Sequence, residues 1–164
     1  MIRNAELKDV SRIAEILVFG KRVAYRDIFQ DDFGSFHELQ VYDIIKEYLD
    51  KPSLMKNILV YDDGIIKGIV NRKFNVMTES ANEIELCEFY VEPFFKGQGI
   101  GQALIQYLIQ EAREAQKTKI FLWVIKDNFS ARRFYERNGF AADGQERIIE
   151  GTSVMDIRYV RELL

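Results

Sequence analysis

The sequence is poor in the residues from which covalent cross-links and metal cages are built. Its 164 residues include one cysteine, Cys87, and one histidine, His37. A disulfide needs two cysteines, and a zinc cage needs several thiolate or imidazole ligands, so no intrachain disulfide and no metal are expected. A histidine-assisted nucleophile would depend on His37 alone, which lies in a helix-like stretch far along the chain from any candidate nucleophile.

The chain also has no long apolar run and no excess of positive charge. No apolar run approaches the length of a bilayer span, and the start, MIRNAELKDV, lacks the basic and apolar segments of a secretory signal. We therefore expect a cytoplasmic protein that does not bind membranes. The net charge of -3 argues against a nucleic-acid partner, which would need a basic face. The length predicts one domain, residues 1–164; a homodimer is compatible with the sequence, which does not define the oligomeric state.

Apolar periodicity predicts two helices in the first third of the chain. The first is expected from Asp9, as N-cap, to about Lys21. Tyr25 to Phe33 mixes aromatic and acidic side chains without a period, which indicates a loop or a short irregular helix. Ser35 and Glu38 have the spacing of a capping box, so the second helix is expected from there until Pro52.

The middle of the chain is predicted to form strands. Asn57 to Tyr61 and Ile65 to Val76 flank the sequence Asp62-Asp63-Gly64, which indicates a hairpin with a tight primed turn. A further strand is expected from Asn82 to Val91, before Pro93.

The last third alternates between helices and strands. A long amphipathic helix is expected from Ile100 to Ala115, and a buried strand from Ile120 to Ile125. Asn128 is expected to cap a helix that ends at Asn138, with Gly139 as its C′ residue, and Phe140 to Val160 is expected to form two strands around a turn. The sum is the α/β class, a mixed sheet with helices on its faces.

Three glycines, Gly97, Gly99 and Gly101, alternate between the predicted strand that ends before Pro93 and the helix that follows. Glycines at such a bend let several backbone N–H groups approach a ligand closely, and the positive end of the helix favours an anion such as a pyrophosphate. The spacing GxGxG differs from the dinucleotide fingerprint GxGxxG, and the P-loop signature is absent. A glycine-rich connection that binds nothing remains the alternative.

The stretch FYVEPFFKGQGIGQAL, Phe89 to Leu104, resembles the GNAT acetyltransferase family, whose hallmark is [QR]xxGx[GA] between a strand and a helix. Lys96 to Gly101 occupy its six positions, and Lys96 stands where the family has glutamine or arginine. A second stretch, NFSARRFYERNGF at Asn128 to Phe140, is similar to the family pattern NxxAxxxYxxxGF. Two motifs in the expected order are much more specific than either alone.

The resemblance implies an acyl-CoA N-acyltransferase fold, a mixed, mostly antiparallel central sheet of six to seven strands with about four helices. It also implies direct transfer of acetyl from acetyl-CoA to a primary amine of a small molecule, polyamine, amino acid or peptide. A non-catalytic acyl-CoA-binding or protein-interaction domain is the alternative. By the resemblance, the residues that would bind the cofactor are Phe89, Tyr90, Val91, Lys96, Gly97, Gln98, Gly99, Ile100, Gly101, Gln102, Asn128, Ala131 and Phe134.

The resemblance further assigns Tyr135 as the general acid for the leaving thiolate and Glu85 as the base, directly or through water. Tyr135 could instead fill the edge of the core, and Glu85 could be a solvated strand carboxylate. Strand alternation places Glu83 and Glu85 on one face and Glu88 on the other, unless a bulge intervenes. Cys87 has no histidine partner, so a covalent acetyl-enzyme is not expected. The amine acceptor itself is not identified by the sequence.

Overall fold

A computed structural model of the protein describes residues 1–74 and 82–163. Its seven strands follow the order β1-β2-β3-β4-β5-β7-β6, and the β4–β5 pair is parallel, whereas β1–β2, β2–β3, β5–β7 and β6–β7 are antiparallel. The expected α/β fold with a mostly antiparallel sheet is therefore confirmed. The elements are β1 (Ile2–Asn4), α1 (Val10–Phe29), α2 (Val41–Asp50), β2 (Ile58–Asp62), β3 (Ile66–Lys73), β4 (Glu83–Val91), α3 (Ile100–Glu114), β5 (Lys119–Ile125), α4 (Phe129–Arg137), β6 (Ala141–Ile148) and β7 (Met155–Glu162).

The residues separate into two compact units, and β4 and α3 each run from one unit into the other. The first unit contains residues 1–71 and 88–104. Its core is built from the apolar faces of α1, α2, β2 and β3 and from Met55 of the short helical turn Pro52–Asn57. The buried members are Val10, Ile13, Ile16, Leu17, Tyr48, Met55, Ile58, Val60, Ile66 and Ile69.

The second unit contains residues 72–87 and 105–164. Here β5 lies between β4 and β7, with Leu122 opposite Leu86 on one side and Tyr159 on the other. Most of β5 is buried, as expected for a strand covered on both faces. The parallel β4–β5 pair requires a crossover, which α3 supplies. At the sheet edge, β6 is exposed along its whole length.

Helix α1 is longer than the sequence predicted, so the irregular segment expected from Tyr25 is wrong for its first five residues. Tyr25 packs edge-on against Phe29 one turn later, at 6.0 Å between ring centroids, and such i,i+4 pairs support a helix. Arg22 donates from Nε to the carbonyl of Ser35 and from Nη2 to the carbonyl of Leu39, which ties the following turn to α1. The helix ends at Phe29, and its C-cap residue, Gln30, has a φ of 52°.

The capping box predicted at Ser35 and Glu38 is also wrong. Residues Gly34–Glu38 form a single π-helical turn, and α2 begins only after Gln40. The Asp31 carboxylate accepts a hydrogen bond from the Gly34 amide, so this local turn competes with the helix start that the spacing suggested.

The β2–β3 hairpin forms as predicted, but its turn is not the two-residue primed turn. Asp62 pairs with Ile66, so three residues connect the strands, and among them only Gly64, at 105°, has a positive φ. β3 ends at Lys73, and the expected extension over residues 75 and 76 lies outside the described residues. The short strand β1, which the sequence did not predict, pairs with β2.

The last third follows the prediction closely. The Asn128 side chain caps α4, and Gly139 follows its C-cap with φ 78°. β6 and β7 form the two final strands.

Candidate functional site

The glycine bend of the first unit has the backbone shape that the sequence predicts. Gly97 and Gly99 have φ of 78° and 79°, in the left-handed region that other residues adopt only at a cost. A Cβ atom built on either glycine meets nothing within 4 Å. Backbone conformation rather than crowding therefore requires glycine here. Lys96, Gly97, Gln98 and Gly99 are all exposed, so the bend is open to a ligand.

Helix α3 begins directly after this bend. Its first intrahelical hydrogen bond runs from the Ala103 amide to the Gly99 carbonyl at 2.9 Å, so the amides of Ile100 and Gly101 precede the hydrogen-bonded ladder. The first turn carries no acidic side chain. Three features favour the binding of a negatively charged group here: the positive end of the helix, the glycine bend and the charge of Lys96.

The end of β4 is held firmly just before the bend. Glu92 is buried and lies 3.0 Å from Nη2 of Arg12, and its amide donates to the Lys67 carbonyl at 2.8 Å. Arg12 also donates from Nε to the Ile66 carbonyl. The bend therefore starts from a strand end that is connected to both α1 and β3.

Tyr90, one of the predicted cofactor-binding residues, packs closely against α1. A Cβ atom on Gly20 would lie 2.6 Å from Cδ1 of Tyr90, so the ring occupies the space that a side chain would fill. The hydroxyl groups of Tyr25 and Tyr90 are 3.0 Å apart. From β3, a Cβ atom on Gly68 would lie 3.3 Å from the Tyr90 carbonyl oxygen. The two glycines admit the close packing around this residue.

Glu88 lies two residues before Tyr90 on β4. It contacts side chains that no sequence motif connects with it. Lys21 Nζ is 3.0 Å from its Oε1, and Asn71 donates from Nδ2 to its Oε2 at 3.1 Å. Burial, reinforced by the charges of Glu88 and Glu47, raises the pKa of Tyr48 on α2. Lys21 and Asn71 carry no sequence motif, so only the folded chain identifies them.

The second motif lies in the second unit, on α4. Asn128 accepts the Ala131 amide at its Oδ1 at 3.2 Å, so the predicted contact residue is also the helix cap. Tyr135 is buried, and its ring makes edge contacts with Phe134 and Phe140 at 5.5 and 5.7 Å between centroids. The Tyr135 ring is therefore packed between Phe134 of α4 and Phe140, which follows the helix.

Two polar groups anchor α4 within its unit. The Tyr159 hydroxyl donates to Glu136 Oε1 at 2.6 Å and accepts from Arg132 Nε at 3.0 Å. Burial and the bond to Glu136 raise the pKa of Tyr159. At the C-terminal end of α4, Asn138 accepts from Gln106 and donates to the carbonyl of residue 134.

Glu85 is half-buried on β4, opposite Phe121 of β5 in the parallel register. The Sγ atom of Cys87 lies 3.8 Å from the Glu85 carbonyl oxygen. His37 lies in the turn after α1 and stacks on Phe33 at 4.5 Å. Within residues 1–74 and 82–163, no group of His, Cys, Asp and Glu residues could hold a metal ion.

The structure thus groups the predicted site residues by unit. Phe89, Tyr90, Val91 and the bend from Lys96 to Gln102 belong to the first unit. Glu85, Asn128, Ala131, Phe134 and Tyr135 belong to the second. The individual roles of these residues, and their combination in one site, stay predictions.

Comparison with known proteins decides the family. The profile described as the acetyltransferase (GNAT) family matches residues 22–140, a range that contains both motifs. The chain belongs to the acetyltransferase (GNAT) family. Acetyl-CoA is the acetyl donor of this family, so the predicted enzyme class and co-substrate are confirmed at the level of the family.

Curated relatives support this membership. The chain is 30% identical over 138 residues to an uncharacterized N-acetyltransferase of Archaeoglobus fulgidus, covering 82% of this chain and 88% of that protein. It is 36% identical over 73 residues to an uncharacterized N-acetyltransferase of Methanocaldococcus jannaschii, which is 44% of this chain and 31% of that protein. It is 34% identical over 61 residues to the spermine/spermidine N(1)-acetyltransferase of Bacillus subtilis, 37% of this chain and 40% of that enzyme. The last two alignments thus span less than half of the relatives' length.

A solved structure shows the same fold. The PaiA N-acetyltransferase of Thermoplasma acidophilum, determined in complex with coenzyme A, superimposes with a TM-score of 0.74 at 18% identity, covering 99% of this chain and 98% of that one. No helix in the described part of the chain is both long enough and apolar enough to span a bilayer.

Proposed function

We propose that this protein transfers the acetyl group of acetyl-CoA directly to a primary amine, with residues 1–164 acting as one catalytic domain in the cytoplasm. The observation that carries the proposal is the open bend at Gly97 and Gly99, which leads into the first turn of α3. Backbone amides at such a bend bind a pyrophosphate without Cβ obstruction. Lys96 adds a positive charge beside them.

The chemistry follows from the pKa values of the groups that react. The amine lone pair attacks the thioester carbon, the C–S bond breaks, and the ammonium proton must leave. An alkyl amine has a pKa of about 10.4, so at neutral pH a base is needed, and Glu85 or a water bound to it takes this proton. The thiolate, with a thiol pKa of about 8.5, takes a proton from Tyr135. The amides of Tyr90 and Val91 stabilise the oxyanion.

The acceptor is a primary amine of a small molecule, polyamine, amino acid or peptide. A polyamine is supported by the Bacillus subtilis relative that acts on spermine and spermidine. The net charge of -3 suits a cationic acceptor. A homodimer stays a prediction.

The proposal is tested by release of coenzyme A with a panel of amines. Tyr135→Phe removes the proton donor and is expected to lower kcat by about tenfold or more. Tyr107→Phe, at an exposed tyrosine of α3, is the matched control. Full activity of Tyr135→Phe would exclude this residue as the acid. Tight binding of coenzyme A without turnover of any amine would instead favour a non-catalytic acyl-CoA-binding domain.

A further inference from the structure

The side chain of Glu88 lies in a polar cluster of the first unit that the transfer chemistry above does not use. The cluster consists of Glu88 on β4, Lys21 on α1 and Asn71 on β3. The side chains of Glu88 and Lys21 are 22% and 30% exposed, so both are mostly buried but remain accessible to solvent.

Glu88 already binds a primary alkyl ammonium, because Lys21 Nζ lies 3.0 Å from Oε1. The lysine head group is a compact charge on a flexible four-carbon stem. The terminal ammonium of an aliphatic diamine has the same charge, the same three donors and a similar stem. Lys21 holds the carboxylate with a single ammonium on a flexible stem, so a ligand ammonium can compete with it for the same oxygen.

Asn71 supplies a second acceptor beside the carboxylate. Its amide orientation is defined because Nδ2 donates to Glu88 Oε2, which leaves Oδ1 as the other end. This Oδ1 is buried, and no donor among the described residues reaches it. A buried acceptor without a donor is costly, and an ammonium held by Glu88 has donors left over to satisfy it.

A carboxylate that holds an amine favours its charged form, which cannot attack a thioester. The amine at Glu88 is therefore the one that does not react. An acceptor that uses this cluster needs two amines, one kept as an ammonium and one that becomes neutral and is acetylated.

We propose that Glu88 and Asn71 hold the non-reacting ammonium of a diamine or polyamine acceptor, and that this ammonium displaces Lys21. Glu88 and Asn71 are thus specificity-determining residues. The kinetic test of this inference rests on the proposed function, whereas the binding test requires no acetyl transfer.

The kinetic test compares 1,4-diaminobutane with 1-aminobutane, which have equal carbon chains and differ in the second amine. Glu88→Gln keeps the size of the side chain and removes its charge. It is expected to lower the ratio of kcat/KM for the diamine to that for the monoamine by about tenfold or more, through KM of the diamine. Lys21→Met removes the competing ammonium and is expected to raise the same ratio several-fold.

The control pair is Lys126 and Glu146, an exposed ion pair at 3.2 Å. Lys126→Met and Glu146→Gln make the same chemical changes and are expected to leave the ratio unchanged. An unchanged ratio in Glu88→Gln, or a lowered ratio in Lys21→Met, would overturn the inference. If Glu88→Gln does not fold, as thermal unfolding will show, the direction of the Lys21→Met effect decides.

Calorimetry separates this inference from the proposed function. 1,4-Diaminobutane is titrated into each variant in the presence of coenzyme A. Weaker binding to Glu88→Gln and tighter binding to Lys21→Met support the cluster even if no amine is acetylated. Equal binding to the wild type and both variants contradicts it even if acetylation is observed.

Discussion

Substitution of Gly20 by alanine tests whether the close contact between α1 and Tyr90 holds β4 in place. The new Cβ would lie 2.6, 3.0 and 3.2 Å from Cδ1, Cγ and Cβ of Tyr90. Rotation about χ1 could move Cγ and Cδ1 away, but it would break the hydrogen bond between the Tyr25 and Tyr90 hydroxyl groups. The contact with Cβ does not depend on the rotamer, so β4 or α1 must also shift slightly.

The net change in the free energy of unfolding combines opposing contributions. Overpacking costs about 1 to 3 kcal/mol, and loss of the hydrogen bond between Tyr25 and Tyr90 costs about 1 kcal/mol more. Alanine in a helix gains up to about 1 kcal/mol over glycine. The free energy of unfolding is therefore expected to fall by about 1 to 3 kcal/mol, and kcat is expected to fall because the Tyr90 amide moves.

The assays are urea unfolding and steady-state kinetics of Gly20→Ala, alone and combined with Tyr90→Ala. Once the ring is removed, the alanine at position 20 should cost almost nothing, because of the three nearest contacts only that at 3.2 Å with Cβ of residue 90 remains. Gly20→Ala as stable and as active as the wild type would refute the reasoning. An equal cost in both backgrounds would assign the effect to another neighbour.

Two further predictions concern the glycine bend and the N-terminal ion pairs. Gly99→Ala places a side chain at a φ of 79°, so stability should fall by about 1 to 2 kcal/mol, and calorimetry should show a larger loss in coenzyme A affinity; unchanged affinity would separate the bend from the cofactor. Hydrogen bonds from Arg3 lower the pKa of Asp62. For Asp9, burial is the largest single effect and raises the pKa, but the hydrogen bonds from Arg3 and from the Glu6 amide, together with nearby positive charge, outweigh it, so the pKa of Asp9 is also lowered. Their stabilising effect should be complete above the unfolded pKa of about 3.9 and be lost as the pH falls through the depressed folded values. Urea unfolding of Arg3→Met should show a smaller loss between pH 5 and pH 2 than the wild type, and an equal loss would contradict this assignment.

Local signals explain why the last third of the chain was predictable. Asn128 caps α4 through a bond to a residue three positions later, and Gly139 ends it through its own backbone conformation. The glycine bend is likewise a property of consecutive residues. In each case the interaction that decides the structure lies within a few positions of sequence, where spacing alone reveals it.

The N-terminal third was harder because distant contacts decide it. The last turns of α1 are supported by the hydroxyl of Tyr90, which is 65 positions from its partner Tyr25. The turn after α1 is ordered by Arg22, which binds carbonyls 13 and 17 positions later. β1, with three residues, is too short to show a period.

The same distinction applies to the candidate site. The backbone conformation of the bend from Lys96 to Gly101 is predictable from the motif. The contacts of Lys21 and Asn71 with Glu88 are not predictable from the sequence, because they depend on the packing of α1 and the pairing of β3. The need for glycine at position 20 is likewise not predictable from the sequence, because it arises from the Tyr90 ring that packs over it.

Strand β6 has a consequence for handling the protein at high concentration. It is the last strand of the sheet, all eight of its residues are exposed, and its register with β7 is irregular between Ala142 and Glu146. A terminal strand offers its outer backbone to any other chain, and charges and irregular register discourage such pairing. The charges of Asp143, Glu146 and Arg147 are therefore expected to set the colloidal solubility of the protein, and neutral substitutions there should promote precipitation.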